Sequence, residues 1–299
     1  MSKKVFLFPG QGGQFIGQGR AWTERSPSIK EIFQMADDVS GRPISKLCFE
    51  GPMEDLSKTV NLQPAVLAVS LAALRLMKEE AEPDYAAGHS LGEFGALCAA
   101  GVLDEETALR LVTKRAALMN ENAEKHPGAM MAVIGLSVEA LEGICELARN
   151  EGLVVTANFN TPEQTVISGD SRAVSAAGKF IKMKSGRAIA LPVSGAFHSA
   201  LMADAAACFA EELGKIDFRE PICPVVPNSL GTPVQSAAEI KENLLKQIIS
   251  PVLWTKTVAS LIAAGATEFI EAWPKAYLGA LTKKCLPAAS EAVVSFCSK

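Results

Sequence analysis

Short apolar segments alternate with helical patterns along this chain, and that alternation limits the possible folds more than any other feature of the sequence. Residues 5–8 form an apolar run that ends at Pro9 and Gly10, as a buried strand would. A helical pattern at 64–80 is followed by a short apolar segment at 85–87. Strands separated by helices build sheets that helices cover, so the sequence predicts an α/β protein.

End signals delimit two of the predicted helices. Pro64 is expected in the first turn of the helix at 64–80, where its missing N–H leaves no helical hydrogen bond unmade. Asp104 is predicted to cap a helix that reaches about residue 122, with two glutamates in its first turn. The first of these helices is apolar along nearly its whole length, so we expect it to be mostly buried.

The middle of the chain follows a different order. The elements predicted there are, in sequence, strand 130–136, helix 138–150 capped by Ser137, strands 153–159 and 164–168, helix 171–184 and strand 187–193. This βαββαβ order is the ferredoxin-like arrangement. We therefore predict a small ferredoxin-like domain at 128–194, inserted in a larger core domain of residues 1–127 and 195–299. A helix at 251–264 and a strand at 268–270 are predicted to complete the core domain.

Residues 88–92 read Gly-His-Ser-Leu-Gly and match G-x-S-x-G, the nucleophile elbow of α/β hydrolase-like folds. The motif needs glycine because the serine lies on a sharp strand-to-helix turn with another backbone packed against it. A predicted strand precedes the motif and a predicted helix follows it. The alternative is a structural serine in a glycine-rich connection. The context favours Ser90 as a nucleophile and the core as α/β hydrolase-like.

A serine nucleophile needs a base, and the chain has three histidines. His89 adjoins Ser90 in sequence, so the turn would point its ring away from the serine hydroxyl. His126 lies in a polar connection, where we expect it in solvent. His198 follows the last strand of the small domain, where the chain returns to the core and a cleft would form. His198 is the candidate base by elimination, with a structural histidine as the alternative.

Arg115 indicates the class of substrate. At about 100° per residue it falls near the centre of an apolar stripe on its helix. That stripe consists of Leu109, Leu111, Val112, Ala116, Leu118 and Met119. A guanidinium that points into a core needs a partner, which is either a structural carboxylate or the carboxylate of a substrate. Its planar fork suits the free carboxyl group of a small dicarboxylate.

The segment 10–14, Gly-Gln-Gly-Gly-Gln, follows the first strand. Its spacing fits neither of the common glycine-rich phosphate and dinucleotide motifs. A flexible turn is one interpretation. An oxyanion hole that combines an N–H of this segment with that of Leu91 is the interpretation that fits a serine nucleophile.

Together these segments resemble the malonyl-CoA:acyl carrier protein transacylases, the acyltransferase family of fatty acid and polyketide synthesis. The resemblance runs nearly end to end. It rests on 8–14, 63–65, 88–94, Arg115 with Met119, 158–162, 166–169, 197–199, and Gln247 ahead of Pro251 and Val252. The family's fold, an α/β hydrolase-like core with a ferredoxin-like insert, agrees with the pattern described above.

Carried over position by position, the resemblance implies that Ser90 is the nucleophile and His198 its base. It implies an oxyanion hole made by the backbone N–H groups of Gln11 and Leu91, and a clamp on the malonyl carboxylate by Arg115. Further positions around the substrate are implied for Gln63, Met119, Asn160, Phe197 and Gln247. The Gln247 segment would orient His198 through a main-chain carbonyl. The implied reaction is a ping-pong transfer through a malonyl-serine ester, with no metal or redox cofactor.

Two positions depart from the family pattern. Gly13 stands where members commonly have serine, and Trp273 stands where a glycine usually precedes the proline. The second segment lies near the site in the family, so Trp273 leaves the pocket shape and the acyl preference open. Phe197 beside the histidine agrees with selection of malonyl rather than methylmalonyl.

Composition limits the partners. The net charge of −4 disfavours a nucleic acid. Seven cysteines without a C-x-x-C pair are typical of reduced thiols in a cytosolic chain. No uninterrupted apolar run approaches the length of a membrane span, and 5–8 is too short for a signal sequence. We therefore expect a cytoplasmic monomer without membrane contact, whose partners are malonyl-CoA and acyl carrier protein.

The carrier proteins of this family are acidic, so the resemblance implies basic residues near the mouth of the cleft. Lys182, Lys184 and Arg187 are the candidates, with an ordinary solvated helix end as the alternative. Two other functions share the motifs. A serine hydrolase would release the acyl group to water, although Arg115 argues against uncharged acyl substrates. A non-catalytic subunit is disfavoured because Ser90, His198 and Arg115 are all intact. The resemblance leaves open whether the carrier serves fatty acid synthesis, polyketide synthesis or malonate metabolism.

Overall fold

The structure is a computed structural model that describes residues 2–298. The strands within these residues are β1 (Lys3–Phe8), β2 (Tyr85–Gly88), β3 (Gly128–Ile134), β4 (Val154–Thr161), β5 (Gln164–Asp170), β6 (Arg187–Ala190), β7 (Val225–Val226), β8 (Ala266–Glu271) and β9 (Val293–Phe296). The helices are α1 (Arg20–Thr23), α2 (Pro27–Ser40), α3 (Ile44–Glu50), α4 (Met53–Leu56), α5 (Thr59–Lys78), α6 (Glu93–Ala99), α7 (Glu105–Lys125), α8 (Val138–Ala148), α9 (Ser171–Met183), α10 (Ala203–Gly214), α11 (Ala237–Lys246), α12 (Trp254–Ala263) and α13 (Leu278–Cys285). Short 3₁₀ turns lie at Ser90–Gly92, Arg149–Glu151, Ala200–Met202 and Gln247–Ile249.

Five strands form a parallel sheet in the order β7-β2-β1-β8-β9. Strand β1 is buried on both faces, as central strands of parallel sheets are. Phe6 and Phe8 point into the main hydrophobic core, which also contains most of α5. Val5 and Leu7 point to the opposite face and join a second cluster with residues of α12 and α13. Alternation along one apolar strand thus places helices on both faces of this sheet.

The other four strands form a separate antiparallel sheet in the order β4-β5-β3-β6. Helices α8 and α9 pack on one face, where Val133 joins their apolar side chains in a small core of its own. Met130 and Ala132, which alternate with it, face the main core instead. The structure is therefore mixed α/β with a parallel sheet and a separate antiparallel sheet, which confirms the predicted fold class at this level.

Both predicted helix caps are present. The Asp104 carboxylate accepts a hydrogen bond from the N–H of Thr107 at 2.7 Å, at the start of α7. The Ser137 hydroxyl accepts one from the N–H of Ala140 at 3.2 Å, at the start of α8. Free thiols are present at Cys48, Cys98, Cys145, Cys208, Cys223 and Cys285.

The start predicted for α5 is wrong. The helix begins at Thr59, so Pro64 lies inside it rather than in its first turn. The carbonyl of Lys58 accepts from the N–H groups of both Asn61 and Leu62 at 2.8 Å, which forms a turn that the sequence does not signal. This helix is long and apolar enough, by length and composition alone, to be a candidate membrane span; 89% of its most apolar window is buried inside the protein, as in a core helix.

Most other predicted boundaries differ from the structure by one to three residues, and two of these differences have a clear physical cause. Helix α12 begins at Trp254, because Val252 is engaged with β4: its N–H donates to Ala157 and its carbonyl accepts from Phe159, both at 2.9 Å. Strand β6 ends at Ala190 rather than 193, since Pro192 has no N–H for a ladder hydrogen bond.

Candidate active site

The carboxyl ends of the central parallel strands meet at one edge of the sheet. Phe8, which ends β1, pairs with Gly88, which ends β2, so the glycine-rich loop lies beside the predicted elbow. In β8, Glu271 pairs with Leu7, which brings the following segment to the same edge. Open α/β sheets bind their ligands at this edge.

Ser90 lies on the turn between β2 and α6 with a φ of 52°, a left-handed conformation that costs a residue with a side chain about 1–2 kcal/mol. Two side chains hold it there. Its N–H donates to Asn228 Oδ1 at 2.6 Å, and its carbonyl accepts from Gln247 Nε2 at 3.0 Å. A Cβ at Gly92 would overlap the carbonyl oxygen of Phe8. The close backbone contact expected from the motif is therefore present.

His198 lies directly against this serine. Its Nε2 is 2.8 Å from Ser90 Oγ. Its Nδ1 is 3.1 Å from the carbonyl oxygen of Gln247 and 3.0 Å from that of Ser250. Carbonyl oxygens only accept hydrogen bonds, so Nδ1 carries the proton and Nε2 is free to accept the serine hydroxyl proton. The tautomer required of a general base follows from these two carbonyl groups.

The environment keeps this imidazole neutral. Burial, and then the positive charge of Arg115, lower the pKa of His198 to about 3. The two main-chain carbonyl groups oppose that shift without cancelling it. At neutral pH the ring is therefore neutral, with its proton on Nδ1 and Nε2 free to accept.

Arg115 is fully buried, as its place in the apolar stripe predicts. Its Nη1 donates to Gln63 Oε1 at 2.8 Å and its Nη2 to Gln247 Oε1 at 3.1 Å, while Nη2 lies 3.4 Å from Ser90 Oγ. Burial lowers its pKa to about 10, so the guanidinium stays charged at neutral pH. No ion pair within residues 2–298 joins it to a carboxylate. No direct ion pair in this part of the chain satisfies this charge, although the negative charge of Glu93 favours the charged guanidinium from a distance.

The two backbone groups predicted for the oxyanion hole are available. Among the hydrogen bonds within residues 2–298, neither the N–H of Gln11 nor that of Leu91 has an acceptor. Leu91 is buried at the turn, and Gln11 is half-buried in the loop after β1. Free N–H groups from these two positions are what a developing oxyanion requires.

The structure brings three of the remaining predicted residues to Arg115 and its surroundings. Gln63 contacts Arg115 directly, and its Nε2 lies 3.5 Å from Met119 Sδ and 3.4 Å from Gln11 Oε1. Gln247 contacts Arg115, Ser90 and His198 through different atoms. Gln63 binds Arg115, and Gln247 connects Arg115 with Ser90 through its side chain and with His198 through its main-chain carbonyl.

Asn160 and Phe197 are placed differently. Asn160 Oδ1 binds His89 Nε2 at 2.9 Å and its Nδ2 donates to Gln164, so within residues 2–298 it forms no hydrogen bond with the serine, the base or the arginine. The His89 ring is thus engaged away from the serine hydroxyl, as expected. Phe197 is part of the main core, with its ring against Gly195.

Two residues at the site were not predicted. Glu93 is fully buried, and its Oε2 accepts from the Asn228 N–H at 3.0 Å, from Gln247 Nε2 at 2.9 Å and from the Asn228 side chain. Burial raises its pKa. Glu93 directly follows the motif, and a carboxylate that opens a helix of small residues was the signal for it. Asn228 had no comparable signal in the sequence. It follows β7, and it reaches the site because β7 pairs with β2 in the sheet.

The candidate carrier-binding residues Lys182, Lys184 and Arg187 are exposed at the end of α9 and the start of β6, and their role stays a prediction. His126 is exposed, as expected, and its Nε2 lies 3.8 Å from Oδ2 of Asp204.

A serine on a strand-to-helix turn, paired with a neutral imidazole, defines the class of serine acyl-transfer proteins. The acyl transferase domain model matches residues 5–296. The chain belongs to this family.

Three similar proteins share one named activity. The malonyl CoA-acyl carrier protein transacylase of Bacillus subtilis (strain 168) is 44% identical over 287 residues, which cover 95% of this chain and 90% of that protein. The acyl-carrier-protein-S-malonyltransferase of Bartonella henselae superposes with a TM-score of 0.94 at 35% identity, over 99% and 96% of the two chains. The complex PlMCAT:AntF (holo), a type II PKS acyl-carrier protein with its malonyl-transacylase, matches with a TM-score of 0.92 at 38% identity, over 99% and 95%.

Proposed function

We propose that this protein transfers a malonyl group from malonyl-CoA to the phosphopantetheine thiol of an acyl carrier protein, by way of a malonyl ester on Ser90. The observation that carries the proposal is Arg115: a buried, charged guanidinium 3.4 Å from the serine hydroxyl, held by neutral amide oxygens. A substrate with a carboxylate close to its reacting carbonyl would pair with this charge. Malonyl thioesters have that chemistry, and the names of the relatives agree with it.

In the first half-reaction Ser90 Oγ attacks the thioester carbonyl while its proton passes to His198 Nε2. The negative charge that develops on the carbonyl oxygen is stabilised by hydrogen bonds that the N–H groups of Gln11 and Leu91 donate to it. The tetrahedral intermediate then collapses, the carbon–sulfur bond breaks, and the imidazolium returns its proton to the CoA sulfur. The Nδ1 contacts with Gln247 and Ser250 hold the ring in place throughout.

The second half-reaction repeats these steps with the carrier protein as the nucleophile. His198 takes the proton of the phosphopantetheine thiol, the sulfur attacks the malonyl ester, and Ser90 leaves with the proton that His198 returns. Thioester exchange neither oxidises nor reduces a substrate, so this reaction calls for no redox cofactor. The His198 imidazole activates the nucleophile, so this step calls for no metal ion.

We also propose the finer description of the fold, an α/β hydrolase-like core with a ferredoxin-like insert at 128–194. The chain order β3, α8, β4, β5, α9, β6 and the sheet order β4-β5-β3-β6 support the insert. The serine turn at the carboxyl end of β2 supports the description of the core.

Intact-protein mass spectrometry after brief mixing with malonyl-CoA tests the proposed function. We expect a malonyl adduct on the wild type and on Ser28→Ala, whose serine lies on the exposed surface, but none on Ser90→Ala. Holo acyl carrier protein should discharge the adduct. Steady release of free malonate, with no malonyl carrier protein formed, would instead identify a hydrolase.

A further inference from the structure

Two aromatic side chains from the segment after β8 hold the glycine-rich loop at 10–14. We propose that Tyr277, together with Trp273, is a positioning residue that fixes the main chain at Gln11 so that its N–H faces the developing oxyanion. This inference rests on the proposed function, because an oxyanion forms only if Ser90 attacks an acyl group.

The contacts join both aromatic residues to the loop backbone. Tyr277 Oη donates to the carbonyl oxygen of Gln11 at 3.0 Å. Trp273, whose side chain is fully buried, donates from Nε1 to the carbonyl oxygen of Gly13 at 3.3 Å. Burial and the nearby charge of Glu271 raise the pKa of Tyr277, so its hydroxyl keeps the proton that it donates. The loop carbonyls on either side of Gly12 are thus each held by a side chain.

Tyr277 is itself held in place at the start of α13. The buried carboxylate of Glu271 accepts from the N–H groups of Tyr277 at 2.9 Å, Leu278 at 2.7 Å and Gly279 at 2.9 Å. Three main-chain hydrogen bonds to one buried carboxylate form a rigid support for the tyrosine, because charge-assisted hydrogen bonds are the strong ones. Glu271 ends β8, next to β1 in the sheet, so this support is tied to the strand from which the loop leaves.

The glycines of the loop are matched to this tyrosine. A Cβ at Gly12 would overlap Tyr277 Oη, and one at Gly13 would lie 2.8 Å from Tyr277 Cγ. The ring therefore fills the space that a side chain at position 13 would need. Gly13 and Trp273, the two departures from the family pattern, are in direct contact. The loop has no side chain at position 13, and its backbone is held instead by hydrogen bonds from Trp273 and Tyr277.

A loop of this composition needs an external support. Three of the four residues from Gly10 to Gly13 are glycine, and Gly12 has a φ of 115° that favours no other residue. Without a support the peptide groups would sample several orientations, and the N–H of Gln11 would have to be ordered in each reaction. Oxyanion donors accelerate a reaction because they are oriented beforehand. Anchoring the carbonyl of Gln11 limits rotation within the residue that supplies the donor.

The test compares Tyr277→Phe with Tyr85→Phe, which changes the only other tyrosine of the chain, a residue whose hydroxyl contacts Lys3. Both variants keep the ring and lose the hydroxyl. Rapid-quench mass spectrometry would measure the rate of malonyl-Ser90 formation as a function of malonyl-CoA concentration. For Tyr277→Phe we expect a maximal rate about tenfold lower at an unchanged half-saturating concentration, since complete loss of a donor costs about 10²–10³. Tyr85→Phe should match the wild type.

Trp273→Phe, which replaces the indole with a smaller ring that has no N–H, provides a second variant and should lower the maximal rate in the same way. A maximal rate for both variants equal to that of the wild type would overturn the inference while leaving the proposed function intact. A change confined to the half-saturating concentration would also overturn it, because positioning of an oxyanion donor acts on the transition state. Absence of any adduct on the wild type would instead overturn the proposed function and, with it, the inference.

Discussion

Replacing Arg115 by methionine removes the buried charge beside Ser90 and keeps an unbranched apolar side chain in the stripe of α7. The guanidinium is fully buried, so water screens its interaction with a bound carboxylate weakly. Its present partners, Gln63 and Gln247, are neutral amides that can relax toward each other or toward a substrate. The main loss on substitution is therefore the charge that would pair with the malonyl carboxylate.

The size of that loss follows from Coulomb's law. Two unit charges about 4 Å apart at an effective dielectric constant of about 20 attract by about 4 kcal/mol. That energy corresponds to roughly a 10³-fold change in rate or affinity. Acetyl-CoA lacks the carboxylate and would leave the charge unpaired beside a methyl group, so the same substitution should raise transfer of acetyl.

The assay is the rate of acyl-Ser90 formation from malonyl-CoA and from acetyl-CoA at subsaturating concentration. Arg115→Met should lose roughly 10³-fold with malonyl-CoA and gain with acetyl-CoA. The matched control is Arg110→Met on the same helix, where an exposed arginine pairs with Glu106 at 3.1 Å. It should stay within about twofold of the wild type. A malonyl rate that Arg115→Met leaves within about threefold of the control would refute the clamp, since so small a change is under 1 kcal/mol.

Two further predictions concern stability, and urea unfolding measures both. The pKa of His198 is lowered from an ordinary 6.5 to about 3 on folding, so acid protonates the unfolded chain first and stability falls as the pH drops below 6.5. Between pH 7 and pH 5 the wild type should lose about 2 kcal/mol more than His198→Gln, and equal losses would contradict the assignment. Gly92→Ala should cost about 3 kcal/mol or more, because its Cβ would overlap the backbone of Phe8. Its control, Gly143→Ala, has open space in the exposed face of α8 and should gain about 0.5–1 kcal/mol; similar effects for the two variants would show that the turn tolerates a side chain.

Local features of this protein were predictable from the sequence because they depend on neighbouring residues. The strand-to-helix turn at Ser90 follows from glycines at 88 and 92. The burial of Arg115 follows from the helical period of α7, since every residue of a regular helix faces a direction set by its position. The caps at Asp104 and Ser137 follow from side chains that bond to amides three residues ahead. The sequence order of strands and helices at 128–194 was predictable for the same reason, whereas β7 and β9 of the parallel sheet were not predicted.

Strand order and long-range packing decided the rest. His198 meets Ser90 across 108 residues of sequence, and the carbonyls of Gln247 and Ser250 that set its tautomer come from another turn. Periodicity tells which face of an element is apolar but not which element covers it, so Asn228, Glu93 and the early start of α5 were missed. The sequence determined which residues have the chemistry of acyl transfer. Only the tertiary structure, by placing four strand ends side by side, determined which main-chain groups and side chains surround them.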